Sequence, residues 1–202
     1  MYHIYHTEAF VIGGTAHEEG SRRVYLFTRD LGLIHALAQG IREEKSKLRY
    51  SLQPYSHTHV SLVHGKTWRI VFAHTQSNFL HHFGHLSGQS LALVRILSLV
   101  RSLVVGEEKN TELFSILKNG FEFLKSSHTE REINAFEHLA VLKMLKNLGY
   151  LPASPDFDAI SIDAEFNDKM LDSVFSVQTK ALRFINTALA ESQLLPKKSP
   201  VL

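Results

Sequence analysis

The chain has 202 residues, of which 44% are apolar and 21% are charged, so it is long enough for one large globular domain or two small ones. It contains no cysteine, which excludes disulfide bonds and metal sites built on thiolates. The formal charge is +3 over residues 1–80 and −1 over residues 81–202, a mild excess that indicates the first part as the place to look for any polyanion surface.

Neither a transmembrane segment nor a leader is predicted. The longest apolar run, Leu91 to Val105, is interrupted by Arg95 and Arg101. The N-terminal hexapeptide lacks the charged and apolar regions of a signal peptide. We therefore expect a cytoplasmic protein.

The first 80 residues have the pattern of strands. Alternating or β-branched runs predict five of them, at 4–12, 23–28, 32–38, 54–64 and 68–75. His57 and His59 lie on one face of the fourth run and are expected at the surface. Closing five strands into an OB-type barrel removes the unpaired sheet edges, so we predict this fold.

From Phe79 the apolar residues recur at helical spacing. Asn110 is a candidate N-cap, Thr129 with Glu132 forms a capping-box pattern, and Gly149 is a candidate C-cap. Helices are predicted at 91–104, 113–124, 130–148 and 176–195. The predicted class is α+β, with an OB-fold domain at residues 1–79 and a helical domain at 80–202.

A loop between the third and fourth strands concentrates positive charge. Arg42, Lys45, Lys47 and Arg49 fall within eight positions. Cations on a short loop beside strands suit a phosphate backbone. The alternative is a solvated surface loop, which is what runs of charge usually are.

Catalytic patterns are weak. Gly65-Lys66-Thr67 resembles the end of a P-loop, but Val60 stands where the loop requires glycine, so a hairpin turn is the better interpretation. His81 and His85 have the spacing of two metal ligands on a helix. Together with four downstream acids they leave open a metal-dependent hydrolase, but a polar junction and a solvated linker are the better explanations. The acids are Asp156, Asp158, Asp163 and Glu165. We expect no enzyme activity, no cofactor and no bound metal.

Several short segments, in order and spacing, resemble the RecO family of bacterial recombination mediators. In the first part they are Glu8-Ala9-Phe10-Val11-Ile12, residues 19–28, Gly32-Leu33, Ala38-Gln39-Gly40-Ile41-Arg42, residues 46–49, Leu52-Gln53-Pro54 and residues 62–66. In the second part they are residues 112–117 and Leu148-Gly149-Tyr150-Leu151-Pro152. One departure is clear: many RecO-like proteins carry a four-cysteine zinc module after this last segment, and this chain has no cysteine.

The resemblance implies an OB-fold joined to a helical domain. It implies binding of single- and double-stranded DNA, strand annealing, and loading of the RecA recombinase onto DNA coated by single-strand binding protein. RecR and the C-terminal tail of single-strand binding protein are the implied partners. We expect an apolar pocket of the helical half to grip that tail, with a cation at the rim drawn from Lys118, Lys125, Arg131, Lys143, Lys146, Lys180 and Arg183.

The candidate DNA-binding cations all lie in the first 69 residues. They are Arg22, Arg23, Arg42, Lys45, Lys47, Arg49, Lys66 and Arg69. Tyr25 and Tyr50 are candidates for base stacking, with packing inside a small barrel as the alternative. An OB-type module that binds RNA or a protein remains the other open class.

Overall fold

The computed structural model describes residues 3–84, 86–150, 165–176, 183 and 185–187. Five strands form a closed barrel in the order β1-β2-β3-β5-β4. They are β1 (Ile4–His17), β2 (Ser21–Thr28), β3 (Gly32–Ala38), β4 (Ser56–His64) and β5 (Trp68–Asn78). Neighbours are antiparallel except β3 and β5, which run parallel. This confirms the predicted five-stranded OB-fold.

The first strand closes the barrel because it serves two neighbours. Residues 4–10 pair with β4, and residues 9–17 pair with β2. A bulge between Val11 and Gly13 bends the strand between these two pairings. The sequence predicted only residues 4–12 as strand, because the Gly-Gly pair that follows was taken for a link.

Alternate residues of the strands point into one apolar core. Val24 and Leu26 of β2, Ile34 and Ala36 of β3, and Leu62 of β4 are almost completely buried. Residues between them therefore face outward, which sets the outer surface discussed below.

A segment beyond the first long helix, Val104–Thr111, belongs to the barrel unit and is here called the strap. The Gly106 carbonyl accepts from the Leu33 amide at 3.1 Å. Glu107 accepts from the Trp68 indole at 3.0 Å, and the Lys109 ammonium lies 3.1 Å from a carboxylate oxygen of Asp30. The other compact unit comprises residues 86–103 and the chain from residue 112.

The helices follow the strands. The described helices are α1 (Leu48–Ser51), α2 (Phe79–Phe83), α3 (Gly88–Leu103), α4 (Thr111–Phe123), α5 (Glu130–Asn147) and α6 (Asp168–Ser176). Thr129 and Glu132 form both hydrogen bonds of the predicted capping box at the start of α5. The C-cap of α5 is Leu148, and Gly149 follows it in the left-handed region at φ +76°. Most of the helix predicted at 176–195 lies outside the described residues.

The helical unit buries charged side chains. Both oxygens of the Glu137 carboxylate accept from the Arg95 guanidinium, at 2.6 and 2.8 Å. Burial raises the pKa of Glu137, and the bonds from Arg95 oppose that rise. Burial lowers the pKa of His138, and the nearby charge of Arg95 lowers it further.

Lys143 is completely buried, so its prediction as a rim cation on the surface is wrong. Its ammonium donates to the Glu165 carbonyl at 3.1 Å and lies 5.1 Å from the centre of the Phe166 ring. A lysine on the inner face of an amphipathic helix can be buried when a carbonyl accepts a hydrogen bond from its ammonium and an aromatic ring interacts with its charge.

Candidate nucleic-acid interface

An open groove at one end of the barrel gathers three of the predicted cations. Arg22, Arg42 and Arg49 line it together with Ile41 and Gln53, and its volume is about 420 Å³. Arg22 lies on the core-facing side of β2 but at the end of the strand, so its side chain is half-buried and lines the groove.

The loop between β3 and β4 is held to the barrel by apolar residues. Ile41 and Leu52 are buried in the barrel core, and Leu48 of α1 packs against it. The Arg42 amide donates to the Gly20 carbonyl at 3.1 Å, which ties this loop to the turn between β1 and β2. The backbone of this loop is therefore held against the barrel, and it carries the cationic side chains there.

The groove lining combines strong donors with no carboxylate. Each guanidinium offers a planar fork of donors that matches phosphate oxygens. An apolar side chain and an amide complete the lining. This arrangement can bind the phosphates of a polyanion and has no nucleophile or general base of its own.

A second surface lies on the outer side of β2, β3 and β5. Tyr25 stands opposite His35, with the two ring centres 4.5 Å apart. In the next outward row Arg23 stands opposite Leu37, and Leu37 stands opposite Arg69. Cations beside a ring on strands 2 and 3 are the arrangement by which OB-folds bind oligonucleotides.

The remaining predicted residues are exposed but do not line the groove. Lys45 and Lys47 lie on the loop, and Lys66 lies in the turn between β4 and β5. The Tyr50 side chain is 74% exposed, so packing inside the barrel does not explain this ring. DNA contact by any of these residues stays a prediction.

The distribution of acidic residues and histidines is a signal of a polyanion surface that the charge clusters alone did not reveal. Residues 45–106 contain no aspartate or glutamate, and residues 1–85 hold eleven of the thirteen histidines. Residues 45–106 include α1, both strands of the β4–β5 hairpin, and α2. These elements therefore present no carboxylate that would repel a negatively charged ligand.

The surface placement predicted for His57 is wrong. It is 3% exposed, and its Nε2 lies 2.8 Å from a Glu8 carboxylate oxygen, beside the Phe10 ring. Alternation along a strand does not reveal that a following helix covers one end of a sheet face. Here Phe79 of α2 is fully buried, with its ring centre 6.3 Å from that of Phe10.

The proposed metal pair cannot be assembled from the described residues. His81 is exposed on α2, and His85 lies outside the described part of the chain, as do Asp156, Asp158 and Asp163. Within the described ranges no group of three or more metal-ligating side chains could hold an ion. No described helix is long and apolar enough to cross a membrane.

Comparison with known proteins agrees with this architecture. Residues 1–71 match the family model for the N-terminal part of recombination protein O. A DNA repair protein RecO of Dehalococcoides mccartyi strain CBDB1 is 30% identical over 152 residues, which is 74% of this chain and 58% of the relative. The DNA repair protein RecO of Caldanaerobacter subterraneus subsp. tengcongensis is 29% identical over 149 residues, covering 72% of this chain and 58% of the relative. That of Heliobacterium modesticaldum is 27% identical over 151 residues, covering 74% and 53%.

The closed barrel with its parallel β3–β5 pairing, followed by helices, defines an OB-fold protein with a helical second unit. The family match over residues 1–71 and the relatives over about three quarters of the chain identify it further: the barrel unit carries the N-terminal domain of the RecO family, and the chain is similar to DNA repair proteins RecO. It spans between about half and three fifths of the length of these relatives.

Proposed function

We propose that this protein is a non-catalytic DNA-binding mediator of recombination in DNA repair. The observation that carries the proposal is the convergence of Arg22, Arg42 and Arg49 in one open groove without a carboxylate. The groove neutralises phosphates, while the outer face with Tyr25 and Arg23 offers a ring and a cation to unpaired bases and their backbone. The relatives are named DNA repair proteins, which supports the same role.

The finer activities rest on the similarity to the RecO family. They are annealing of complementary strands and loading of RecA onto DNA coated by single-strand binding protein, with RecR as a partner. Both activities require the protein to hold single-stranded DNA by its backbone without reading its sequence. Arginine guanidinium groups can hold the phosphates, and an aromatic ring can stack on a base of any sequence, so both suit that requirement. Duplex DNA would bind the same cations more weakly, because its bases are paired and not available for stacking.

The tail of single-strand binding protein is proposed to bind the helical unit. With Lys143 buried, the described rim candidates are Lys118, Lys125, Arg131, Lys146 and Arg183. Lys125 is already paired with Glu122 at 2.7 Å. Lys180 lies outside the described residues. Titrating a labelled tail peptide into the full chain tests the contact, and substitution of Arg131, an exposed cation early in α5, should weaken it.

The experiment for DNA binding is a fluorescence-anisotropy titration over a salt series, with single-stranded DNA, duplex DNA and RNA of one sequence. Single-stranded DNA should bind most tightly, and log K should fall linearly with log salt concentration. Preference for RNA would favour the RNA-binding alternative. Absence of binding to any of the three nucleic acids would point to a protein-binding module.

Matched variants locate the interface. Changing Arg22, Arg42 and Arg49 together to alanine should lower the salt slope by up to about 2, because each phosphate contact on a single strand contributes about 0.7. The control changes Lys45 and Lys47, which lie on the same loop outside the groove, and should lower the slope less for each residue changed. Equal losses per residue changed in the two variants would show that the loop acts only through its total charge.

A further inference from the structure

The outer side of β1, β4 and β5 carries a second open surface, here called the histidine face: His6, His59, Phe72 and His74. The three histidines are exposed, and the Phe72 side chain is 57% exposed. An exposed aromatic ring offers a face on which an unpaired base can stack.

The register places these side chains on two rows of the sheet. His59 of β4 stands directly opposite His74 of β5. In the neighbouring outward row Ser61 stands opposite Phe72, and the His6 Nδ1 lies 2.9 Å from the Ser61 hydroxyl. Three imidazoles and one exposed phenyl ring therefore lie on two neighbouring rows of the same outer surface.

The carboxylate of Glu8, on the outer side of β1, is held by neighbouring side chains. Glu8 of β1 is opposite His59, but its carboxylate contacts the buried His57 at 2.8 Å and Arg29 at 3.6 Å. Its side chain is only 13% exposed. The strands β4 and β5 contribute no acid, whereas Arg69 of β5 adds a cation.

The histidine face gathers three side chains of the one type that can gain a positive charge on mild acidification. Histidine is the side chain that gains charge between about pH 8 and 5. Imidazolium rings at directly opposite strand positions repel each other. An anion between His59 and His74 would remove that repulsion and accept hydrogen bonds from both rings.

The histidine face is continuous with the proposed DNA surface. Arg69 stands opposite Leu37 of β3 on one side and opposite Val63 of β4 on the other. A strand that crosses Arg23 and Arg69 can therefore continue onto the histidine face without leaving the outside of the barrel. This continuity favours a polynucleotide over a separate acidic peptide.

We propose that the histidine face is a second contact for single-stranded DNA, in which Phe72 stacks on an unpaired base and the three histidines, when protonated, hold adjacent phosphates. The proposal rests on the proposed function and extends it to regulation by pH. Falling pH should lengthen the stretch of strand bound to one protein molecule.

The test measures binding of the full chain to a thymidine oligonucleotide by anisotropy, over a salt series at pH 8 and at pH 6. In wild type the salt slope should be steeper at pH 6. The triple change of His6, His59 and His74 to glutamine should remove up to about 2 units of that increase, at about 0.7 per phosphate. Phe72→Ala should weaken binding about tenfold, since stacking on one base contributes about 1–3 kcal/mol.

The control variant changes His81 and His82 to glutamine, since both are exposed on α2 and outside the face. It should retain the wild-type increase. The proposal is overturned if the triple variant keeps the full increase at pH 6 with an unchanged melting temperature, or if Phe72→Ala binds as wild type. Loss of binding to an acidic peptide in these variants, with DNA binding intact, would overturn it in favour of a protein partner. Absence of DNA binding by wild type at both pH values would instead defeat the proposed function itself.

Discussion

Replacing Gly32 with alanine should destabilise the barrel and displace the strap. Gly32 opens β3 at φ +67°, in the left-handed region that disfavours side chains. A Cβ added there would lie 2.6 Å from the amide nitrogen of Glu108 and closer still to its carbonyl oxygen. Both atoms are backbone, so the strap itself would have to move.

Two costs add in this variant. The left-handed conformation costs an alanine about 1–2 kcal/mol. Forcing a methyl group against packed atoms costs about 1–3 kcal/mol more. Gly20→Ala isolates the first cost, because Gly20 has φ +80° and an added Cβ would meet nothing within 4 Å.

The assay is equilibrium unfolding in urea, followed through the fluorescence of Trp68. It is the only tryptophan of the chain, and its indole donates to Glu107 of the strap. Gly32→Ala should lose about 1–3 kcal/mol more than Gly20→Ala, which is about 2–12 °C in melting temperature at this chain length. Equal losses in the two variants would refute the packing of the strap against β3.

Four other outcomes follow, three from the helical unit and one from the composition. Thr129→Ala should lower stability by about 1 kcal/mol in thermal unfolding followed by circular dichroism, because it removes the side-chain oxygen that accepts from the Glu132 amide. The pKa of His138 is lowered by burial, so the unfolded chain takes up a proton first and stability should fall as pH drops below about 6.5; His138→Gln should show less of this loss between pH 7.5 and 5.5 in urea unfolding. Lys143→Met should cost less stability than Lys143→Ala, because methionine fills the buried volume. Purified protein should hold less than one equivalent of zinc and melt unchanged in chelator, since the chain lacks cysteine; tight stoichiometric zinc would contradict this.

The alternating pattern of the first 80 residues predicted the barrel because inward and outward positions differ in polarity along most strands. β3 was predicted at its observed limits, Gly32 and Ala38, because turn residues bound it. The strap was not predicted. Its contacts depend on Gly106 and Glu107 meeting strands that lie far away in sequence, and no local pattern encodes such contacts.

The sequence indicated which residue types line the candidate DNA-binding groove, but not how the fold brings them together. Clustering of charge indicated Arg42 and Arg49, yet only the fold brings Arg22 beside them. Helix α6 escaped prediction because it is short and follows an acidic segment. Lys143 was misplaced because periodicity identifies the buried face of a helix but not a polar residue whose partner comes from another segment.

The central claim is that the barrel groove and its outer strands hold single-stranded DNA. It is tested most directly by recording amide resonances of the full, isotopically labelled chain during titration with a thymidine oligonucleotide. We expect the largest shifts at Arg22, Arg42 and Arg49, smaller ones at Tyr25, and none at the buried centre of α5. Shifts confined to the helical unit, or none at saturating oligonucleotide, would contradict it.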